Sequence, residues 1–174
     1  VLPKGSKQEK AFIRLVVTFA TLVKSSCKSL NEVLKQAYKA NDERSVFIIE
    51  NIFQPVYERY IQALSESKQI DFTDAILKAT EICRTSHPVE YDYIIVDEFQ
   101  DISVDRYNFL KALREGNPPA KLYCVGDDWQ SIYRFSGSDM ALFNQFPEYF
   151  GATEINKIET TYRLSLIHIS EPTR

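Results

Sequence analysis

The chain has 174 residues, about one domain at roughly 150 residues per domain, with 44% hydrophobic and 26% charged residues. That is enough to bury a core. Three scattered cysteines (Cys27, Cys83, Cys124) and two histidines (His87, His168), without Cys-x-x-Cys or His-x-x-x-His spacing, exclude a disulfide framework and a His/Cys metal cluster. The expected setting is reducing and cytoplasmic. No apolar run is long enough to span a bilayer, and Val1 to Lys7 does not read as a signal peptide, so neither a membrane anchor nor export is expected. The first residue is Val rather than Met, and the start is expected not to be a native one. Of the five glycines none is followed by Lys, so no phosphate-cradling G-x-x-x-x-G-K-[ST] loop is present. Net charge is −3, but residues 1–39 carry eight bases against Glu9 and Glu32, a local +6 that leaves −9 to the remainder. Such a basic arm either touches phosphates or is the solvated face of lysine-rich helices.

In chain order, Phe12, Leu15, Val16, Phe19, Leu22 and Val23 recur at helical spacing and predict an amphipathic helix. Ser29 with Glu32 three residues on is a capping box that opens a second helix through Leu30, Val33, Leu34, Ala37 and Tyr38. A third helix is predicted from Glu43 to Ser65, kinked or divided at Pro55. A fourth follows Asp71, whose carboxylate caps it with Asp74 at the third position, and runs through Ile76, Leu77, Thr80 and Cys83. At His87-Pro88 the pattern changes. Tyr91 to Val96 is a β-branched and aromatic run that predicts a buried strand ending in acids. A helix from Ser103 to Glu115 is stopped by Gly116-Asn117-Pro118-Pro119, and a second strand, Lys121 to Val125, ends in Gly126-Asp127-Asp128. Strand, helix, strand predicts a parallel βαβ unit, with both acidic clusters at the carboxyl edge where ligands of such sheets bind.

Asp97 and Glu98 close the first strand as adjacent carboxylates. That arrangement can hold a hard cation and activate a water, or it is a solvated strand end. The second strand runs into Asp127-Asp128-Trp129-Gln130-Ser131-Ile132-Tyr133-Arg134-Phe135-Ser136-Gly137. Asp127 and Asp128 are expected to be turn and capping acids rather than further metal ligands. Gln100 and Asp101 are expected to orient the first cluster through hydrogen bonds.

Together these segments resemble motifs II and III of the superfamily 1 DNA helicases of the UvrD/Rep group, and they look most like its helicase IV branch. Asp71-Phe72-Thr73-Asp74 is similar to that family's D-F-x-D segment, and Thr160-Thr161-Tyr162-Arg163 to its motif IV. The likeness runs from about Asp71 to Arg163. It implies an α/β fold, part of a RecA-like P-loop NTPase domain with a parallel sheet, in which residues 1–88 are a helical insertion and residues 89–163 the motor core. It implies ATP and Mg²⁺ as cofactors, with Asp97 on the metal, Glu98 activating water, Gln130 on the γ-phosphate and Arg163 as an arginine finger. Tyr133, Arg134 and Phe135 are implied as contacts to single-stranded DNA, although many relatives have Trp and Arg where this chain has Phe135 and Ser136. For Tyr133 and Phe135 the alternative is burial under the sheet edge.

The implied function is 3′ to 5′ DNA helicase activity on single-stranded and duplex DNA. Alternatives are a helicase-nuclease subunit of the same superfamily or a non-catalytic nucleic-acid-binding fragment. Without a Walker A loop the chain by itself is expected to be inactive. Leu164 to Arg174 resembles a translated sequencing adapter rather than native protein; the alternative is a divergent native segment.

Overall fold

Short polar side chains open the first three helices. Ser6 Oγ accepts from the Glu9 amide (3.1 Å) at the start of α1 (Lys7–Ser25), and Ser29 from that of Glu32 (3.3 Å) at α2 (Leu30–Lys39). Asp42 accepts from Ser45 (3.0 Å) at α3 (Glu43–Ile48). Glu32 returns a carboxylate to the Ser29 amide at 2.7 Å, which completes the capping box expected from sequence. The computed structural model describes residues 3–86, 90–127 and 139–158.

The helix predicted from Glu43 to Ser65 is divided. Between α3 and α4 (Gln54–Ser67) lies one π turn, Ile49–Phe53, in which the Gln54 amide bonds the Ile49 carbonyl. Pro55 has no N–H to give and its ring crowds the carbonyl four residues back; a widened turn just ahead of it accommodates both. The same turn buries Ile49 and Phe53. Phe53 meets Phe19 of α1 edge-on at 4.1 Å and stacks on Tyr57 at 5.3 Å, which fastens this bend to the first helix.

On α1, Phe12, Val16, Phe19 and Leu22 are half-buried and Val23 is buried, whereas Leu15, expected on the same face, is exposed. Periodicity identifies a face but not how far along the helix a partner reaches. Here burial is concentrated at Val23, Lys24 and Ser25.

Beyond α5 (Phe72–Ser86) come β1 (Tyr93–Val96), a 3₁₀ turn (Phe99–Asp101), α6 (Val104–Glu115) and β2 (Lys121–Cys124). Helix α5 packs along α6, and both pack on α1. The α6 stop depends on Asn117, whose amide donates to the Leu113 carbonyl (2.8 Å) while its Oδ1 accepts from the Tyr91 amide (2.8 Å). Gly116 itself keeps an ordinary right-handed φ of −74°.

The strands are parallel, with Tyr93 opposite Lys121 and Val96 opposite Cys124. The chain is thus an α/β fold with a small two-stranded parallel sheet among its described residues. One expectation is corrected here: β1 is buried on one face only. Ile94 is covered, but Ile95 is 72% exposed, and Tyr93 and Tyr123 lie open on the same side. A continuous apolar run reports that both faces suit burial, not that both are covered. Residues up to Asn144, including α7 (Met140–Asn144), form one compact unit; those from Gln145, including α8 (Phe146–Phe150), form another.

Candidate functional site

The carboxyl ends of β1 and β2 lie side by side because the ladder continues past both strands. The Val125 amide donates to the Val96 carbonyl (2.9 Å), and the Phe99 amide to that of Val125 (2.8 Å). Asp97 and Glu98 sit at this edge, and both are exposed. Glu98 has φ +52° and ψ +42°, a left-handed conformation that costs a non-glycine residue roughly 1 to 3 kcal/mol and that it shares with Cys27, Asn41 and Lys68. It lets the chain turn at once from strand into the 3₁₀ turn, and the Glu98 amide is caught by Asp97 Oδ1 at 2.9 Å.

Directly behind lies Gln100, only 2% exposed. Its Nε2 donates to Glu98 Oε2 at 2.6 Å, and its Oε1 accepts from the Asp127 amide at 2.9 Å. Gln100 therefore holds Glu98, though not Asp97, and it also reaches the tip of β2. Glu98 Oε1 has no hydrogen-bond partner among the described residues. Gly126 is required by this close approach: a Cβ there would lie 2.7 Å from the Phe143 ring, 2.8 Å from Gln100 Oε1 and 3.0 Å from the Gln100 amide. The expectation for Asp101 is corrected: among the described residues its side chain bonds neither acid, its buried Oδ1 has no hydrogen bond, and its carbonyl accepts from Arg106 at 3.2 Å. The chain re-enters this edge at Asp139, whose amide donates to the Ile102 carbonyl (2.9 Å) and whose carboxylate caps α7 through the Ala141 amide (3.0 Å).

As a metal seat, the edge offers hard carboxylate oxygens. Among the described residues no group of three or more His, Cys, Asp or Glu side chains converges as a protein-only cage. That donor set suits Mg²⁺, which keeps several waters and takes one or two carboxylates plus phosphate oxygens. Cys124, at the end of β2, is no alternative nucleophile, since burial pushes its thiol up to about 12.

A second acidic pair is built quite differently. Asp71 and Asp74 open α5 by capping each other: the Asp74 amide donates to Asp71 Oδ1 (2.8 Å), and the Asp71 amide reaches Asp74 Oδ2 (3.4 Å). Lys24 Nζ lies 2.6 Å from Asp71 and 2.8 Å from Asp74, its side chain 6% exposed. Tyr60 adds its hydroxyl to Asp71 at 2.8 Å, with its ring centroid 5.4 Å from the ammonium. Burial opposes the Lys24 charge, but the hydrogen bonds it donates to Asp71 and Asp74, with their negative charge, outweigh it and raise the pKa. Burial likewise opposes the Asp71 charge, and the bonds from Lys24, the Asp74 amide and Tyr60 outweigh it and lower the pKa. This corrects the reading of the basic arm at one position, because Lys24 is occupied by carboxylates and is not available to phosphates. Sequence reasoning missed the clamp. Its partners are 47 and 50 residues apart, and the only local signal was a helix start carrying two like charges that need a cation.

Of the other predicted site residues, Asp128, Gln130, Tyr133, Arg134, Phe135 and Arg163 lie outside the described residues, as does the segment from Leu164 to Arg174. Among the described residues no helix is long and apolar enough to cross a membrane.

The sequence profile of the UvrD/REP helicase N-terminal domain matches residues 5–151. DNA helicase IV of Escherichia coli is 41% identical over 115 residues, covering 66% of this chain and 17% of its own length. DNA helicase II of the same organism is 31% identical, covering 66% and 16%. The ATP-dependent DNA helicase Rep of Buchnera aphidicola is 32% identical, covering 67% and 19%. The chain thus spans less than one fifth of the length of these curated relatives.

Proposed function

The chain belongs to the UvrD/REP helicase family, and from that membership and the acidic edge of its sheet we propose that it forms part of the first motor domain of an ATP-dependent DNA helicase. In this reading residues 1–88 are the helical insertion of a RecA-like P-loop domain, and residues 89–163 belong to its core. The intact enzyme couples hydrolysis of ATP to 3′ to 5′ translocation on single-stranded DNA and to unwinding of duplex.

One observation carries the reading: adjacent carboxylates at the carboxyl tip of a parallel strand, the second set in a left-handed turn and held by a buried amide. Asp97 would hold Mg²⁺ through its carboxylate, and the ion would supply charge neutralisation on the phosphates. Glu98 accepts the proton of the attacking water, with Oε1 the less encumbered oxygen because Oε2 already accepts from Gln100. Gln130 contacts the γ-phosphate, and its amide can bond differently to ATP and ADP states. Arg163 acts as an arginine finger, a contribution worth roughly 10³ to 10⁵ in rate in comparable hydrolases. Tyr133, Arg134 and Phe135 meet single-stranded DNA, where stacking on a base contributes about 1 to 3 kcal/mol without regard to sequence. The 174 residues hold no Walker A loop, so by themselves they are expected not to turn over ATP.

The test is Glu98→Gln in a full-length protein carrying this segment. ATP binding is expected to survive while hydrolysis and unwinding are lost; unwinding at the unsubstituted rate overturns the assignment.

A further inference from the structure

We infer that Gln100 is a positioning residue that sets the rotamer of Glu98 while anchored to the tip of the neighbouring strand, which makes the carboxylate's aim depend on the β1–β2 junction. The inference rests on the proposed role of Glu98 and adds to it. The chemistry of the two partners fixes the direction of the amide. The Asp127 N–H can only donate, so it faces Oε1, at 2.9 Å; Nε2 is then left for Glu98 Oε2, at 2.6 Å. The reverse orientation would oppose donor to donor at Asp127 and acceptor to acceptor at Glu98.

Three features make the amide a fixed strut. Gln100 is buried to 2% exposure, so water does not compete for either bond. It belongs to the 3₁₀ turn, which is tied to β2 through the Phe99 amide and the Val125 carbonyl. Gly126 brings its own backbone against the Gln100 side chain and amide, leaving no room for a Cβ. Glu98, in contrast, is exposed and has no other side-chain partner among the described residues, so without Gln100 its carboxylate would sample several rotamers. Holding Oε2 leaves Oε1 as the less encumbered oxygen and fixes the direction in which it faces. A base confined to one geometry raises turnover without changing nucleotide affinity.

Two substitutions separate the arms of the strut. Gln100→Glu keeps an acceptor for the Asp127 amide but sets a carboxylate against Glu98. Gln100→Met keeps the length and removes both bonds. In a full-length protein carrying this segment, both are expected to lower kcat for ATP about 10-fold or more while leaving KM for ATP within about 2-fold. Amide hydrogen exchange gives a readout that does not depend on turnover: the Asp127 N–H should exchange faster in Gln100→Met and stay protected in Gln100→Glu. If Gln100→Met does not fold, Gln100→Glu decides alone. Unchanged kcat in Gln100→Glu, beside a Glu98→Gln variant that is inactive, overturns this inference and leaves the proposed function standing. A Glu98→Gln variant that still hydrolyses ATP overturns both.

Discussion

Two pairs of acids, Asp71 with Asp74 and Asp97 with Glu98, begin from similar local chemistry and end in opposite states. The first pair opens a helix and closes on a buried ammonium, and every nearby donor is used within the fold. The second pair opens outward from a strand tip, has no cationic partner among the described residues, and is restrained by neutral amides, the Glu98 backbone on Asp97 and the Gln100 side chain on Glu98. A buried charge must be matched or it is expelled, so a matched pair serves the fold. Carboxylates left unmatched at a sheet edge, one of them on a left-handed backbone, keep their capacity for a cation and a water. Net charge alone would not distinguish the two; the identity of the partner does.

The comparison can be broken most severely at the strand tip. Asp97→Asn in a full-length protein carrying this segment should reduce Mg²⁺-dependent ATP turnover by orders of magnitude, with part of the loss recovered at higher Mg²⁺. A rate insensitive to the substitution removes Asp97 from the metal. At the clamp the expected loss is of stability. Lys24→Met strands two carboxylates that are partly open to water, and should cost about 2 kcal/mol in urea unfolding, less than the full penalty for a completely buried pair. An unchanged midpoint would show that the clamp is idle.

A smaller effect is expected at the junction of the strands. Gly126→Ala forces its methyl into Phe143 and Gln100 and should cost about 1 to 3 kcal/mol, with Asp127 amide protection falling alongside. Retained protection contradicts the packing argument. The pH dependence of stability is the smallest signal. Asp71 has a lowered folded pKa, so its contribution is present above the ordinary carboxylate range and is lost as pH falls through its folded value. Lys24 has a raised folded pKa, so its contribution is complete below the ordinary lysine value and is lost as pH rises through its folded value. Chemical unfolding between pH 3 and 5 and again above pH 10 should show both limbs, and Lys24→Met should flatten them.

Local features of the fold were legible in the sequence wherever a few neighbouring residues decide them. The Ser29 capping box, the Asp71 cap, the break near Pro55 and the parallel pairing of Tyr93–Val96 with Lys121–Cys124 follow from short-range patterns and the right length of connection. Asp97 and Glu98 were legible for the same reason, since a strand ending in acids can be read off a few residues. What was not legible depends on distance. No pattern near Lys24 says that carboxylates 47 and 50 residues away will neutralise it. Helical periodicity marked Leu15, and a continuous apolar run marked Ile95, as residues to be buried, but whether anything covers them is set by packing partners along the helix and across the sheet. The reach of Gln100 to Asp127 likewise exists only because two strands, far apart in sequence, end at the same level.

The most direct test of the account measures one quantity in two variants of the same full-length protein: the single-turnover rate of ATP hydrolysis with Mg²⁺ and single-stranded DNA, for Glu98→Gln and for Asp71→Asn. The account predicts that Glu98→Gln loses hydrolysis by at least about 10²-fold, typical of removing a general base, whereas Asp71→Asn melts earlier and hydrolyses at nearly the original rate. Comparable losses in both, or a surviving rate in Glu98→Gln, would contradict the division between an acidic pair that serves the fold and one that serves the chemistry.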